Sequence, residues 1–325
     1  MKSRKLGNIQ VSAIGYGCMG LSMGYGAPPT KDESIQLIQQ AFDLGCTFFD
    51  TAEIYAAGDN EKLIGEALKA VRHDTVIASK FLIREAWTAG AKDLKREIQT
   101  RLENSLRNLK TDHLDLYYQH RVNQDIPVED VAGIMGDFIQ EGKILGWGQS
   151  QATPDEIKRA HAVTPLAAVQ SEYSIMERMF EKEVIPLCQE LNIGFVPFSP
   201  LAGGFLSGKI NADTSFTGFD ARRVITRYQK ENIIANQPLL NILQEFAFNK
   251  NATPAQISLA WMLHKYDFIV PIPGSKNRDR LKENLGAADI VLTNEEFSNI
   301  ENELSKIQIH GNRRDEDLAK LSTLQ

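Results

Sequence analysis

Four side chains able to move or hold protons stand at the ends of three short apolar runs: Asp50 closing "TFFD", Tyr55 five residues on, Lys80 in "TVIASKF" and His120 closing "HLDLYYQH". A phenol titrates near about 10 and donates its proton poorly at neutral pH. A nearby ammonium favours phenolate and lowers that value, the service Lys80 would do for Tyr55. Asp50 would pair with Lys80 and keep it charged, because a desolvated lysine tends to lose its proton. His120 would hydrogen-bond a substrate oxygen or assist proton transfer. An acid, a phenol, an ammonium and an imidazole together suit protonation of a carbonyl oxygen while another group delivers hydride to carbon. Taken singly, each has a plainer reading: a loop cap, a packing residue, a solvated charge, a satisfied core histidine. Their placement at neighbouring strand ends is what favours chemistry.

The elements that must position them read as an alternation. Strand candidates are "VSAIGYG", "TFFDTA", "TVIASKF", "HLDLYYQH", "ILGWGQS", "LAAVQSEYS", "IGFVPFSPL" and "DFIVPIPGS", eight in all. A segment of helical period follows each, among them "KDESIQLIQQAFDLG", "AKDLKREIQTRLENSLRNLK" and "TPAQISLAWMLHKY". Thr153 is placed as an N-cap with Pro154 in the first turn. Strands apolar nearly throughout, each followed by a helix, predict a parallel sheet covered by helices; eight units suit a closed (β/α)8 barrel, with a doubly wound open sheet as the alternative. No low-complexity linker divides the chain, so a single domain over residues 1–325 is expected. The 201–235 stretch after the seventh strand is too long for an ordinary connection and reads as a binding loop. The tail from about residue 306 lies outside the eight units.

"GYGCMG", residues 15–20, matches G-x-G-x-x-G, the pattern that opens a dinucleotide-binding Rossmann unit. That unit needs a helix starting at the third glycine. Here Gly20 is followed by "LSMGYGAPPT", a loop, and Asp50 comes thirty residues later rather than about twenty. The match is a turn at a strand end. A net charge of -6 favours solubility and gives no reason to expect a nucleic-acid partner. No run reaches the about 18 apolar residues of a membrane span, and the N-terminus does not read as a signal peptide. The three cysteines form no C-x-x-C pair, so reduced thiols in a cytoplasmic chain are expected. No H-E-x-x-H or comparable metal-ligand set is present.

"FFDTAEIYAAGDNEKLIGEAL" resembles the signature of the aldo-keto reductase family, "IASKF" its lysine strand and "LDLYYQHRVNQDIPVED" its histidine strand. "GKILGWGQSQATPDEIKRAH", "AAVQSEYSI", "PFSPLAGGFLSGK" and "PIPGSKNRDRLKEN" are similar to later blocks, in order, with greatest likeness to the bacterial and plant branch. The resemblance implies a barrel that reduces a small carbonyl substrate with NADPH, needing no metal. It places Asp50, Tyr55, Lys80 and His120 in the catalytic tetrad, with Tyr55 as general acid. It implies that Ser150, Gln151 and Gln170 hold the nicotinamide carboxamide, Gln151 standing where Asn or Glu is commoner. Phe198 would stack on the nicotinamide ring.

The same resemblance assigns Ser199, Leu201, Gly203 and Lys209 to the pyrophosphate loop, Ala202-Gly203 replacing a more usual Gly-Arg. Gly274, Ser275, Lys276, Arg280, Glu283 and Asn284 match the adenosine block. Arg280, at the start of the last helix, would meet the 2′-phosphate with Lys276 in support, favouring NADPH over NADH. Gly17, Cys18 and Met19 would border the nicotinamide ribose, and Met19, Tyr25 and Trp87 would line the substrate pocket. An alternative implied by relatives of this fold is a regulatory or sensor subunit that binds NADPH with little turnover. A short-chain reductase would need Tyr-x-x-x-Lys, and no tyrosine here has a lysine four residues on.

Overall fold

Threonines start many of the helices. Thr30, Thr153, Thr253 and Thr293 each accept the amide of the third helical residue, while Glu33, Glu156, Gln256 and Glu296 reach back to the cap amide. Pro154 and Pro254 occupy first turns, where a missing N–H costs nothing. The computed structural model describes residues 1–83 and 93–312.

A hairpin comes first: β1 (Ser3–Leu6) pairs antiparallel with β2 (Ile9–Ser12). Seven parallel strands then follow in chain order around one sheet: β3 (Tyr16–Gly17), β4 (Phe48–Asp50), β5 (Val76–Phe81), β6 (Leu116–Gln119), β7 (Trp147–Ser150), β8 (Ala168–Glu172) and β9 (Gly194–Phe198). Helices α1 (Lys31–Asp43), α2 (Asp59–Ala67), α3 (Leu94–Leu109), α4 (Val128–Gln140), α5 (Pro154–Val163) and α6 (Val184–Glu190) fill the crossovers between successive strands. After β9 come α7 (Lys230–Ala235), α8 (Gln237–Asn249) and α9 (Pro254–Lys265), and the chain closes with α10 (Arg278–Gly286) and α11 (Asn294–Ser305). This is the expected barrel; α7, α8 and α11 are additions to its eight units. Residues such as Ile38, Ile64, Ile98, Leu102, Met135 and Phe138 bury the helix faces against the strands, each stabilising the fold by about 1.5–3 kcal/mol. Among the described residues no helix is long and apolar enough to cross a membrane.

Two predicted strands differ from expectation. "VSAIGYG" divides: Val11 and Ser12 belong to the hairpin, and the barrel takes only Tyr16 and Gly17. The hairpin stoppers one end of the barrel, where Leu6 and Val11 pack with Phe48, Ala78, Leu116, Val196 and Val270. The eighth candidate, "DFIVPIPGS", closes the ring without a regular ladder. Val270 and Ile272 donate to Phe195 O (2.9 Å) and Pro197 O (3.0 Å), and Gly15 donates to Pro271 O (2.9 Å) from the other side. Pro271 and Pro273 have no N–H to return, which breaks the regular pattern. The seam is tight: a Cβ on Gly17 would lie 2.6 Å from Ile272 O, and one on Gly274 would lie 2.8 Å from Gly17 O.

Candidate active site

The four proton-handling side chains converge at the C-terminal ends of β4, β5 and β6. Asp50 is the last residue of β4 and His120 the first after β6. Tyr55 opens a tight turn, Tyr55–Gly58, in which Ala56 and Ala57 hold φ of 48° and 52°. Left-handed backbone at a non-glycine residue costs about 1–2 kcal/mol, strain of a kind that collects at functional turns. Lys80 Nζ donates to Asp50 Oδ1, to Thr51 O (2.6 Å) and to Tyr55 Oη (3.5 Å), which uses the three donors of an ammonium. Asp50 Oδ2 accepts from Gln170 Nε2 at 2.8 Å. The Tyr55 and His120 rings meet edge to face, centroids 5.9 Å apart. Among the described residues His120 Nδ1 is buried without a hydrogen-bond partner.

Burial governs the electrostatics. It pushes the Tyr55 phenol above its usual value; Lys80 pulls it down as expected, but burial is the larger effect and the net shift is upward. Burial alone would strip Lys80 of its proton, but Asp50 and Tyr55 hold the ammonium above its ordinary range. Asp50 is raised by burial, with Lys80 and Gln170 drawing it back. Burial, then the Lys80 and Arg121 charges, drives His120 well below its usual value of 6.5, leaving a neutral imidazole at pH 7. The site therefore holds a protonated phenol against a charged lysine and a neutral histidine.

The residues expected to meet a dinucleotide fall into three neighbourhoods. Beside the tetrad, the Cys18 amide donates to Asp50 O (2.9 Å), and its buried thiol is raised far from reactivity. Gly17 ends β3, and Met19 starts a short turn, Met19–Leu21. Ser150 ends β7 and accepts from Arg121 Nη1 at 3.3 Å. Gln151, with φ of 57°, donates its amide to Gln170 O (2.9 Å) and accepts the Glu172 amide on Oε1 (3.4 Å). Phe198 ends β9, half-buried, with Ser199 turning away at φ of 49°.

The second neighbourhood is the turn Ala202–Ser207, entered from Leu201. Gly203 there holds φ of 57°, and a Cβ on it would lie 2.0 Å from Tyr228 Oη. Lys209 is exposed and lines a groove of about 470 Å³ together with Gly204, Ser207, Arg222 and Arg280. The third is the start of α10. Asn277 caps it by accepting the Arg280 amide (3.0 Å), and the Arg280 side chain stands exposed at the groove. Gly274 and Ser275 precede the cap; the Ser275 carbonyl accepts from Tyr16 Oη (2.6 Å). Glu283 is half-buried and Asn284 buried on the same helix.

Lys276 departs from expectation. Its ammonium donates to Tyr25 O (2.6 Å) and Ala27 O (2.8 Å), so it holds the loop after β3 instead of standing free beside Arg280. Tyr25 pairs with Asp220 of the long insert and lies under the Arg222 guanidinium, 5.2 Å from its ring centroid. Trp87 lies outside the described residues. Sequence reasoning missed Arg222, which reads as one more surface charge in "DARRV", and missed the Gln170–Asp50 contact, which no spacing reveals. The donor set suits a dinucleotide: left-handed turns at Gly203 and Gly204 and the exposed cations Lys209 and Arg280 fit phosphates, while the Arg222 guanidinium is held by Asp220 (2.7 Å) and the Gly203 carbonyl (3.1 Å). Among the described residues no three His, Cys, Asp or Glu side chains cluster to hold a metal ion.

The profile of the Aldo/keto reductase family matches residues 13–304, and the chain belongs to that family. The family places it among NADP-dependent oxidoreductases acting on carbonyl and hydroxyl groups. It is 40% identical over 304 residues to a probable aldo-keto reductase 1 of Glycine max, covering 91% of this chain and 87% of that one. It is similar to a Klebsiella pneumoniae aldo-keto reductase solved in complex with NADPH, at 26% identity and a TM-score of 0.72 over 93% of this chain and 95% of that one. A glycerol dehydrogenase of Gluconobacter oxydans shares the fold, with a TM-score of 0.83 at 23% identity over 96% and 97%.

Proposed function

We propose that this protein reduces an aldehyde or ketone to an alcohol with NADPH, and that Tyr55 supplies the proton. The observation that carries this reading is the Lys80 ammonium seated among Asp50, the Thr51 carbonyl and the Tyr55 hydroxyl, 3.5 Å from the last. When bound, NADPH supplies the hydride. Tyr55 gives its proton to the carbonyl oxygen, and Lys80 stabilises the phenolate left behind. Asp50 keeps Lys80 charged. His120, neutral, offers a ring N–H to the same oxygen and sets its angle. The NADPH complex of the Klebsiella relative supports the choice of cofactor.

In this reading Ser150, Gln151 and Gln170 hold the nicotinamide amide, and Phe198 covers its ring. Gly17, Cys18 and Met19 border the ribose, with Met19 and Tyr25 at the substrate mouth. Ser199, Leu201, Gly203 and Lys209 take the pyrophosphate; Gly274, Ser275, Glu283 and Asn284 take the adenosine. Arg280 binds the 2′-phosphate and makes NADPH the preferred cofactor, while Lys276 secures the loop after β3. Residues 1–325 act as one barrel domain, and three buried free thiols suit a cytoplasmic setting. The test is NADPH oxidation against a panel of aldehydes and ketones, with NADH in parallel. Carbonyl-dependent oxidation, faster with NADPH, is expected. Tight NADPH binding with no turnover of any carbonyl would make the chain a cofactor-binding subunit.

A further inference from the structure

One side-chain hydrogen bond crosses the barrel at the level of the tetrad. Gln170 is on β8 and Asp50 on β4; β5, β6 and β7 separate them on one side, and β9, the closing segment 268–273 and β3 on the other. The two residues therefore stand on opposite walls. Gln170 Nε2 nonetheless reaches Asp50 Oδ2 at 2.8 Å, and both side chains are buried. Since Lys80 occupies Oδ1, each carboxylate oxygen has one strong donor from a different wall. The Gln170 backbone is itself pinned, its carbonyl accepting the Gln151 amide at 2.9 Å.

A carboxylate held by a single partner can rotate about its own bond and carry that partner with it. A second donor on the other oxygen removes this freedom. We propose that Gln170 is a positioning residue for Asp50: from the far wall it fixes the plane of the carboxylate, and so fixes where Asp50 presents Lys80 to Tyr55. The inference rests on the reading of Tyr55 as the acid. Asparagine is one methylene too short for the span, and an apolar side chain would fill the space without the donor. The same amide is assigned above to the nicotinamide, so the cofactor seat and the proton donor share one side chain.

The groups facing Asp50 are Lys80 from β5, Tyr55 from the turn after β4, Cys18 from the loop after β3 and Tyr118 from β6. Burial keeps Cys18 and Tyr118 neutral, so Lys80 is the charge that remains when Gln170 is removed. An N–H donated to a carboxylate favours its ionised form. Losing it must therefore move Asp50 protonation to higher pH.

Two variants test this: Gln170→Met, close in length and without the donor, and Gln170→Glu, near-isosteric with a second carboxylate. In apoprotein carrying 13C-labelled aspartate carboxyls, assigned with Asp50→Asn, the Asp50 titration should move up in Gln170→Met and further in Gln170→Glu. At saturating NADPH, single-turnover reduction should fall about 10-fold or more, with its acid limb displaced to higher pH. A Gln170→Met protein with weaker NADPH binding but an unchanged Asp50 titration and acid limb would overturn the proposal, leaving Gln170 as a cofactor contact alone. If wild-type protein itself transfers no hydride, the reading of the reaction fails, and the apoprotein titration still decides the positioning role.

Discussion

Lys80 has three donors and three acceptors within reach, and that match sets the behaviour of its neighbours. Burial keeps the Tyr55 phenol protonated but also makes it a weaker acid, so its proton can leave only as Lys80 stabilises the phenolate. Tyr55→Phe removes the proposed acid while keeping the ring against His120. Single-turnover NADPH oxidation should fall by about 10²–10⁴-fold, with NADPH binding by fluorescence unchanged. His120 carries a second prediction. Its folded value is depressed well below the usual 6.5, so as pH falls through that range the unfolded chain binds a proton that the native chain refuses. Stability should thus be full above about pH 7 and decline toward pH 5. His120→Asn should flatten that decline in melting temperatures taken across the range. The residue types of the tetrad were legible in the sequence. The direction of the Tyr55 shift was not, because it depends on how much water three strand ends exclude.

The elements bring the remaining contacts together through their ends. The start of α10 is built by Asn277, whose cap leaves Arg280 facing the groove shared with Lys209 and Arg222. Arg280→Ala should weaken NADPH about 10-fold or more, as expected for loss of a guanidinium–phosphate pair, and leave NADH nearly unaffected. Equal losses for both cofactors, measured by fluorescence titration, would remove Arg280 from the 2′-phosphate. Periodicity and caps made these helices readable, Thr153 with Pro154 above all. The eighth strand was readable as an apolar run, but its prolines withhold the amides that a ladder needs. Lys276 stands beside Arg280 along the chain, yet its four-carbon stem carries the ammonium to Tyr25 O and Ala27 O. Nearness in sequence does not say which acceptor a flexible side chain finds.

For the whole molecule, the hairpin that stoppers the barrel is also its fastening. Arg4 Nη1 donates to Tyr266 O and Ile269 O, both at 2.6 Å, and Nη2 donates to Leu263 O, tying β1 to the end of α9 and to the closing segment. Arg4→Ala would strand these carbonyls. It should cost about 1–3 kcal/mol by urea unfolding, with activity per folded molecule retained because the catalytic end of the barrel is untouched. Residue type and period already specified the chemistry on offer, the order of strands and helices, and the failure of "GYGCMG" as a Rossmann turn; these are local properties, written in neighbouring residues. Only the closed barrel decided which atoms meet: Gln170 reaching Asp50 from 120 positions away, Gly17 pressed against Ile272, and burial raising Tyr55. Through-space distance and the exclusion of water arise when the ring of strands closes, and no stretch of sequence contains them.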